Sequence, residues 1–295
     1  MRRALADWAP VLGVVAASTL FLAYYLLLDM GVGGTAEMAL EQGKVLWGSS
    51  SLVLNLSMMW CALVSLIVIR QFSRSFSSRE RVVIFVSFGL LFVVLSCFIA
   101  ASGEYAGRAA ASLLEKFATS GLTGVSSIVK FNNMVGVLVV ILLVLALVFV
   151  IRGVEESSAR SLAGRIYWFN LLLYSGGVVL AAAVYTTYWL FQWAASLEVD
   201  PLQQRSQEIF ASRVAVGGGF LFSSLLMLIV IPAAIRLDRQ LKNLMQNSAE
   251  TIPDFDPQKW LAKEGIESAP LHSIATYAAV LLPTATGFLT KLPGL

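Results

Sequence analysis

Few residues in this chain have the chemistry of a catalytic or metal-binding group. The sequence contains one histidine, His272, and two cysteines, Cys61 and Cys97, which both lie inside apolar runs. A structural zinc site needs about four nitrogen, sulfur or oxygen ligands, and a hydrolytic triad needs a histidine beside a nucleophile and an acid. Neither is easily built from these residues within one subunit. We therefore expect no catalytic residue, no cofactor and no metal ion, and interpret His272 as an interface or surface residue.

Small residues point to helix packing instead. The glycine run at residues 217–219 is not followed by Lys-Ser or Lys-Thr, as a phosphate-binding loop would be. Gly177 and Ala181 are spaced four apart, and so are Gly219 and Ser223. In membrane helices such residues let another helix approach closely. We predict that the two helices carrying them pack through these faces; the alternative is that the glycines line a pore or allow a bend.

Uncharged polar residues within apolar runs are the remaining candidates for function. Asn55, Ser96 and Asn170 are of this kind. They either bond between helices, contributing about 0.6 kcal/mol each on average, or line a hydrated path for a solute. We favour the structural interpretation and keep the polar path as the alternative.

The composition indicates a membrane protein. Hydrophobic residues make up 58% of the 295 residues and charged residues only 13%, whereas soluble domains carry roughly 25% charged residues. A membrane-spanning helix needs about 20 apolar residues. Segments close to this length and free of charged residues occur at 8–28, 50–69, 82–101, 134–151, 167–195 and 214–235. The sequence therefore predicts an all-α, multi-pass helix bundle with about six transmembrane helices in residues 1–236.

The basic residues predict the orientation of these helices. Most of the 21 Lys and Arg residues fall in segments that are cytoplasmic if the N-terminus is inside. We expect both termini on that side of a bacterial inner membrane. Such loops also account for the net charge of +3, so we expect no nucleic-acid partner. Segment 8–28 is too long for a signal peptide and lacks a cleavage site, which favours a retained helix.

The connecting segments also have helical patterns. Residues 104–120 and 197–213 predict short amphipathic helices in the outer loops. Residues 237–295 are interpreted as a cytoplasmic tail that extends the sixth helix, followed by a short helix capped by Asp256 and Gly265. Apolar residues of this tail are expected to dock on a partner: Leu237, Leu241, Leu244 and Trp260. Residues 274–289 are short for a crossing and predict an interfacial, re-entrant or tail-packed segment rather than a seventh span.

These patterns favour a non-enzymatic membrane protein that acts by assembly. We expect it to self-associate or to be a structural or accessory subunit of a membrane complex, with the lipid bilayer and another membrane or cytoplasmic protein as partners. The alternative is a channel or small-solute transporter. An enzyme acting on lipid is the least favoured interpretation, because loops would have to bring distant groups together: Glu104, Glu115, Asp200 and His272.

Overall fold

The described part of the chain is all-helical, as predicted. The computed structural model describes residues 39–73, 76–102, 123–152, 158–198, 200–266 and 274–291. Within these ranges the chain forms seven helices and no strand: α1 (Ala39–Phe72), α2 (Ser78–Ser102), α3 (Thr123–Ile151), α4 (Ala159–Ser196), α5 (Pro201–Thr251), α6 (Pro257–Glu264) and α7 (Ile274–Leu289).

Four of these helices contain segments long and apolar enough to cross a membrane. These segments are Val45–Phe72, Ile128–Ile151, Ala159–Ser196 and Pro201–Thr251. They contain four of the six predicted spans. The predicted span at 82–101 forms most of α2, which is not among the four, while 8–28 and the loop segment 104–120 lie outside the described residues. The chain is thus a membrane-embedded helical protein with four candidate spans in its described part.

Helix α4 is the centre of the bundle. It packs against α1, α3, α5 and α7, and it also contacts the short helix α6. Phe169, Leu172 and Leu173 on α4 are fully buried in the main apolar core, to which α1, α3 and α5 also contribute. Because lipid is as apolar as these side chains, close van der Waals packing stabilises this arrangement more than removal from solvent does.

Helix α5 is one continuous helix of 51 residues, about 77 Å long. Asp200 starts it by accepting a hydrogen bond from the backbone N–H of Leu202 at 3.0 Å, and Pro201 occupies the first turn. The predicted amphipathic helix at 197–213 is therefore not a separate element, because most of it forms the first turns of α5. Pro232 lies within the same helix without ending it.

The tail packs on its own bundle. Asp256 caps α6 by accepting from two backbone N–H groups, and Gly265 ends it with φ of 74°, so both predicted caps are confirmed. Leu237 is fully buried and Leu241 is 2% exposed. Leu244 and Trp260 are partly buried against the same core. The apolar stripe predicted to dock on a partner is thus covered largely by this chain, since α5 and α6 close over the end of the core.

Arg165 fixes the end of α3 to the start of α4. Its guanidinium donates hydrogen bonds to the carbonyl oxygens of Val150 and, at 2.8 Å, Arg152. These carbonyls lie at the C-terminus of α3, where the helix leaves its last acceptors unpaired. The guanidinium also lies 4.9 Å from the ring centroid of Phe72, at the end of α1. One buried arginine therefore connects three helices.

A capping box attaches α2 to the same end of the bundle. Ser77 and Glu80 exchange hydrogen bonds between their side chains and backbone N–H groups. The bonds from the Ser77 backbone and hydroxyl hold the pKa of Glu80 below its usual value, and nearby Arg152 lowers it further. Arg152 forms an ion pair with Glu80 and lies over the ring of Phe76. The start of α2 is therefore held by the ion pair between Arg152 and Glu80 and by the stacking of Arg152 on Phe76.

We predict that Arg165→Met destabilises the bundle by roughly 2 kcal/mol, because charge-assisted hydrogen bonds to the buried end of α3 are lost. The measurement is reversible unfolding of the purified protein in mixed micelles, with exposed Arg160 on the same helix replaced by Met as the control. Equal stability of the two variants would contradict this role.

Candidate functional site

Two glycines allow α7 to touch the backbones of α4 and α5. A Cβ atom placed on Gly177 of α4 would lie 2.5 Å from the carbonyl oxygen of Ala279 in α7. One placed on Gly219 of α5 would lie 2.5 Å from the carbonyl oxygen of Pro283. No larger residue fits at either position without moving α7. We call this contact region of α4 and α5 the α7 seat.

Pro283 explains part of this close contact. A proline has no N–H group, so Pro283 leaves the carbonyl of Ala279, four residues earlier, without its usual helical donor. This carbonyl is the one that faces Gly177. The glycine admits the oxygen close to its Cα hydrogens, which form weak bonds to carbonyls. In an apolar environment this contact compensates in part for the missing hydrogen bond.

Hydroxyl groups join α7 to α5 beside the glycines. The hydroxyl of Thr284 donates to the hydroxyl of Ser223 at 2.8 Å and lies 3.2 Å from the carbonyl oxygen of Gly219. The backbone N–H of Thr284 also donates to Ser223, at 3.2 Å. Ser223 is therefore a site residue with a defined partner. Interhelical hydroxyl bonds of this kind add specificity to packing through small residues.

Three of the four predicted packing residues, Gly177, Gly219 and Ser223, contact α7. The sequence predicted that Gly177 and Ala181 on one helix face Gly219 and Ser223 on the next. Both glycines contact α7 instead, and Ala181 is 8% exposed. Thr284 and Gly287 on α7 also belong to this contact region and were not predicted as packing residues. Their spacing of three within a short apolar helix was the signal, but it did not identify the helix on which they pack.

Helix α7 runs antiparallel to α5. A Cβ on Gly287 would lie 2.7 Å from the carbonyl of Ala215, and the hydroxyl of Ser212 donates to the carbonyl of Thr290 at 3.4 Å. Later residues of α7 therefore pair with earlier residues of α5. The end of α7 lies beside the first turns of α5 and far from Thr251, where α5 ends.

A second polar cluster joins α1, α3 and α4. The side-chain amide of Asn55 donates to Asn132 on α3 at 3.0 Å and to the carbonyl of Ser51 at 2.8 Å. The hydroxyl of Thr186 on α4 donates to the carbonyl of Ser50 at 2.9 Å. These bonds place Asn55 in an interhelical network. Asn132 and Thr186 complete the network, and the role of Asn132 was not predicted from the sequence.

Tryptophans close this cluster towards the ends of α1 and α4. Trp47 and Trp193 stack with ring centroids 5.7 Å apart, and both are buried. Among the described residues, neither indole nitrogen has a hydrogen-bond partner, and the hydroxyl oxygen of Ser51 also has none. Buried polar atoms normally have hydrogen-bond partners, so these three atoms are exceptions within the described structure.

Two residues of the predicted polar path, Asn55 and Asn170, lie at different levels of the bundle. Two contacts show that α1 and α4 run antiparallel: Trp47 lies against Trp193, and the carbonyl of Ser50 accepts from Thr186. Asn170 therefore lies roughly 20 Å from the level of Asn55 along the bundle. Side chains buried in the apolar core occupy α1 between these levels: Met58, Cys61 and Val64. The side chain of Ser96 lies outside the described residues.

Comparisons give no further guide to function. Among the described residues, no three His, Cys, Asp or Glu side chains form a group that could hold a metal ion. His272 lies outside the described ranges. The chain matches no protein-family model, no curated protein and no solved structure. The α7 seat and the Asn55 network are therefore the best-defined candidate sites.

We predict that Gly219→Leu displaces α7, because the added side chain overlaps the Pro283 backbone. The measurement is disulfide formation between Ser223→Cys and Thr284→Cys, with Cys61 and Cys97 replaced by Ala. Cross-linking should be efficient in this background and fall several-fold with Gly219→Leu. The matched control is Gly217→Leu, since a Cβ at Gly217 meets nothing within 4 Å. Equal cross-linking in the two variants would exclude the seat.

Proposed function

We propose that this chain is a non-enzymatic integral membrane protein that acts by assembly, as a homo-oligomer or as a structural subunit of a membrane complex. The observation that carries this proposal is the open apolar surface of α2. The bundle covers only a narrow stripe of this helix and leaves most of its apolar side chains for lipid or for another protein.

The exposed side chains of α2 surround most of the helix. Ile84 and Phe88 are partly buried against the core, and α3 is the main neighbour of α2. The large apolar side chains that remain exposed are Val82, Val83, Phe85, Val86, Leu90, Leu91, Val93 and Val94. A membrane helix that is apolar on every side and attached along one stripe has room for further helix contacts.

This surface replaces the tail as the favoured docking region. The tail was expected to bind a partner through an uncovered stripe, but Leu237 and Leu241 are buried in their own chain. A partner that uses the tail would therefore meet its mostly polar outer side. Assembly through α2 needs no rearrangement of the core, whereas exposing Leu237 and Leu241 would require part of the core to open.

Cross-linking from α2 tests assembly directly. Leu90→Cys, in a background with Ala at positions 61 and 97, is expected to give a disulfide dimer or a defined adduct with a partner in native membranes. Leu90 is 62% exposed, and Leu228→Cys on α5, at a site 76% exposed, is the collision control. A product at Leu90 alone supports the proposal. Uncross-linked monomer at both sites, with a monomeric native mass after mild solubilisation, would contradict it.

A channel or small-solute transporter is the second candidate. The unpaired polar atoms of Trp47, Trp193 and Ser51 beside the Asn55 network favour it. The apolar layer between Asn55 and Asn170 disfavours a continuous path. Solute or ion flux in liposomes that is lost in Asn132→Leu would support this candidate, and tight liposomes under every gradient would exclude it.

For the orientation, we propose that the N-terminus lies in the cytoplasm of a bacterial cell and that six helices cross the membrane before the tail. Helix α7 then follows as a seventh crossing and ends at the outer side. The antiparallel register of α7 with α5 supports this last point. It places Thr290 beside Ser212, in the first turns of α5, whereas α6 follows the opposite end of α5. The antiparallel register therefore favours α7 as a seventh crossing, with the C-terminus outside the cell, over a C-terminus in the cytoplasm.

A reporter fused after Leu295 is expected to lie outside the cell, because the end of α7 at Thr290 lies beside Ser212 in the first turns of α5. The measurement compares alkaline phosphatase, active outside, with green fluorescent protein, fluorescent inside. The control is the same pair fused after Thr251, which should report the cytoplasm. Cytoplasmic signals from both fusion sites would restore the expectation that both termini lie inside.

A further inference from the structure

Trp60 is an unusual residue to face lipid. Its side chain is 55% exposed in the described structure, and it lies close to the middle of the candidate span Val45–Phe72. Tryptophan prefers the headgroup level of a bilayer, where its indole N–H finds acceptors. The hydrocarbon centre offers no acceptor. A protein surface that covers Trp60 and accepts its hydrogen bond would resolve this conflict.

Trp60 belongs to a row of exposed apolar residues along α1. The row consists of four residues at intervals of seven, with their exposed fractions: Leu46 (39%), Val53 (54%), Trp60 (55%) and Ile67 (50%). Leu63, 49% exposed, lies beside them. The opposite side of α1 is buried in the bundle. A repeat of seven keeps one helix in contact with another along its full length. The row therefore fits one further helix.

We propose that residues 8–28 of this chain form that helix and pack antiparallel on the exposed row of α1. The 38 residues before α1 lie outside the described ranges and contain this one long apolar segment. Ten residues, 29–38, connect 8–28 to α1, and consecutive helices of a bundle joined by a connection of this length favour antiparallel packing. The tether also raises the local concentration of this segment far above that of a second chain.

The level of the two segments in a bilayer supports the match. If residue 28 is level with Ser50 and residue 8 with Ile69, residue 18 is level with Trp60. The sequence there is Ala16-Ala17-Ser18-Thr19, the smallest run of side chains within 8–28. Small residues make room for the large indole, and the hydroxyls of Ser18 and Thr19 are acceptors for its N–H. The small side chains and the hydroxyl groups of this run therefore suit contact with the exposed indole of Trp60.

Intramolecular cross-linking tests this pairing with Trp60 left in place. Single cysteines at residues 14 to 17, covering one helical turn, are each combined with Leu63→Cys in full-length protein with Ala at positions 61 and 97. One or two of these positions should form a disulfide within one chain, seen as faster migration on non-reducing gels. The register control is Val53→Cys with the same four positions, because Val53 lies about 15 Å from Leu63 along α1.

Each outcome decides the pairing. A disulfide within one chain at Leu63, with at least tenfold less at Val53, supports it. Disulfides between chains would assign the row to a second copy, and no disulfide at either site would leave it facing lipid; both results overturn the pairing. Unfolding of the Leu63→Cys variant before oxidation checks that the fold is retained. The test is independent of assembly through α2, which uses another helix.

Discussion

In a hydrocarbon environment a polar group has to find its partner inside the protein, and most features of this structure depend on that constraint. Helices satisfy their own backbone except at ends and prolines. Arg165 supplies donors to the end of α3, and the carbonyl freed by Pro283 lies against Gly177. Thr284 and Ser223 satisfy each other at 2.8 Å. Helix α7 can approach so closely only because glycine occurs where its backbone meets α4 and α5.

The same constraint is reflected in the positions of the charged and the uncharged polar contacts of this bundle. Charged contacts such as the Glu80–Arg152 pair are located at one end, with α2 anchored there. The Asn55–Asn132 bond lies towards the opposite end, and an apolar layer separates it from Asn170. This apolar layer interrupts the uncharged polar residues along α1. The open sides of α1 and α2 then become the surfaces on which further helices are expected to pack.

Local features were predictable from the sequence, and non-local ones were not. Asp256 and Gly265 determine the ends of α6 through their own side-chain and backbone preferences, so both caps were found. An apolar stripe shows that Leu237 and Leu241 need cover, but it does not identify the cover as the same chain. Small residues at Gly177 and Gly219 likewise indicate a close helix without identifying α7. Helix α5 continues through changes in hydropathy because hydropathy alone does not end a helix.

The central claim is that α7 lies antiparallel to α5, in a seat of small residues on α4 and α5. Spin-label distances in lipid test it most directly, with labels on three exposed residues: Lys291, Gln203 and Glu250. We predict a short distance, under about 30 Å, between 291 and 203, and about 60 Å between 291 and 250. The reverse order, with 291 closer to 250, would contradict the account.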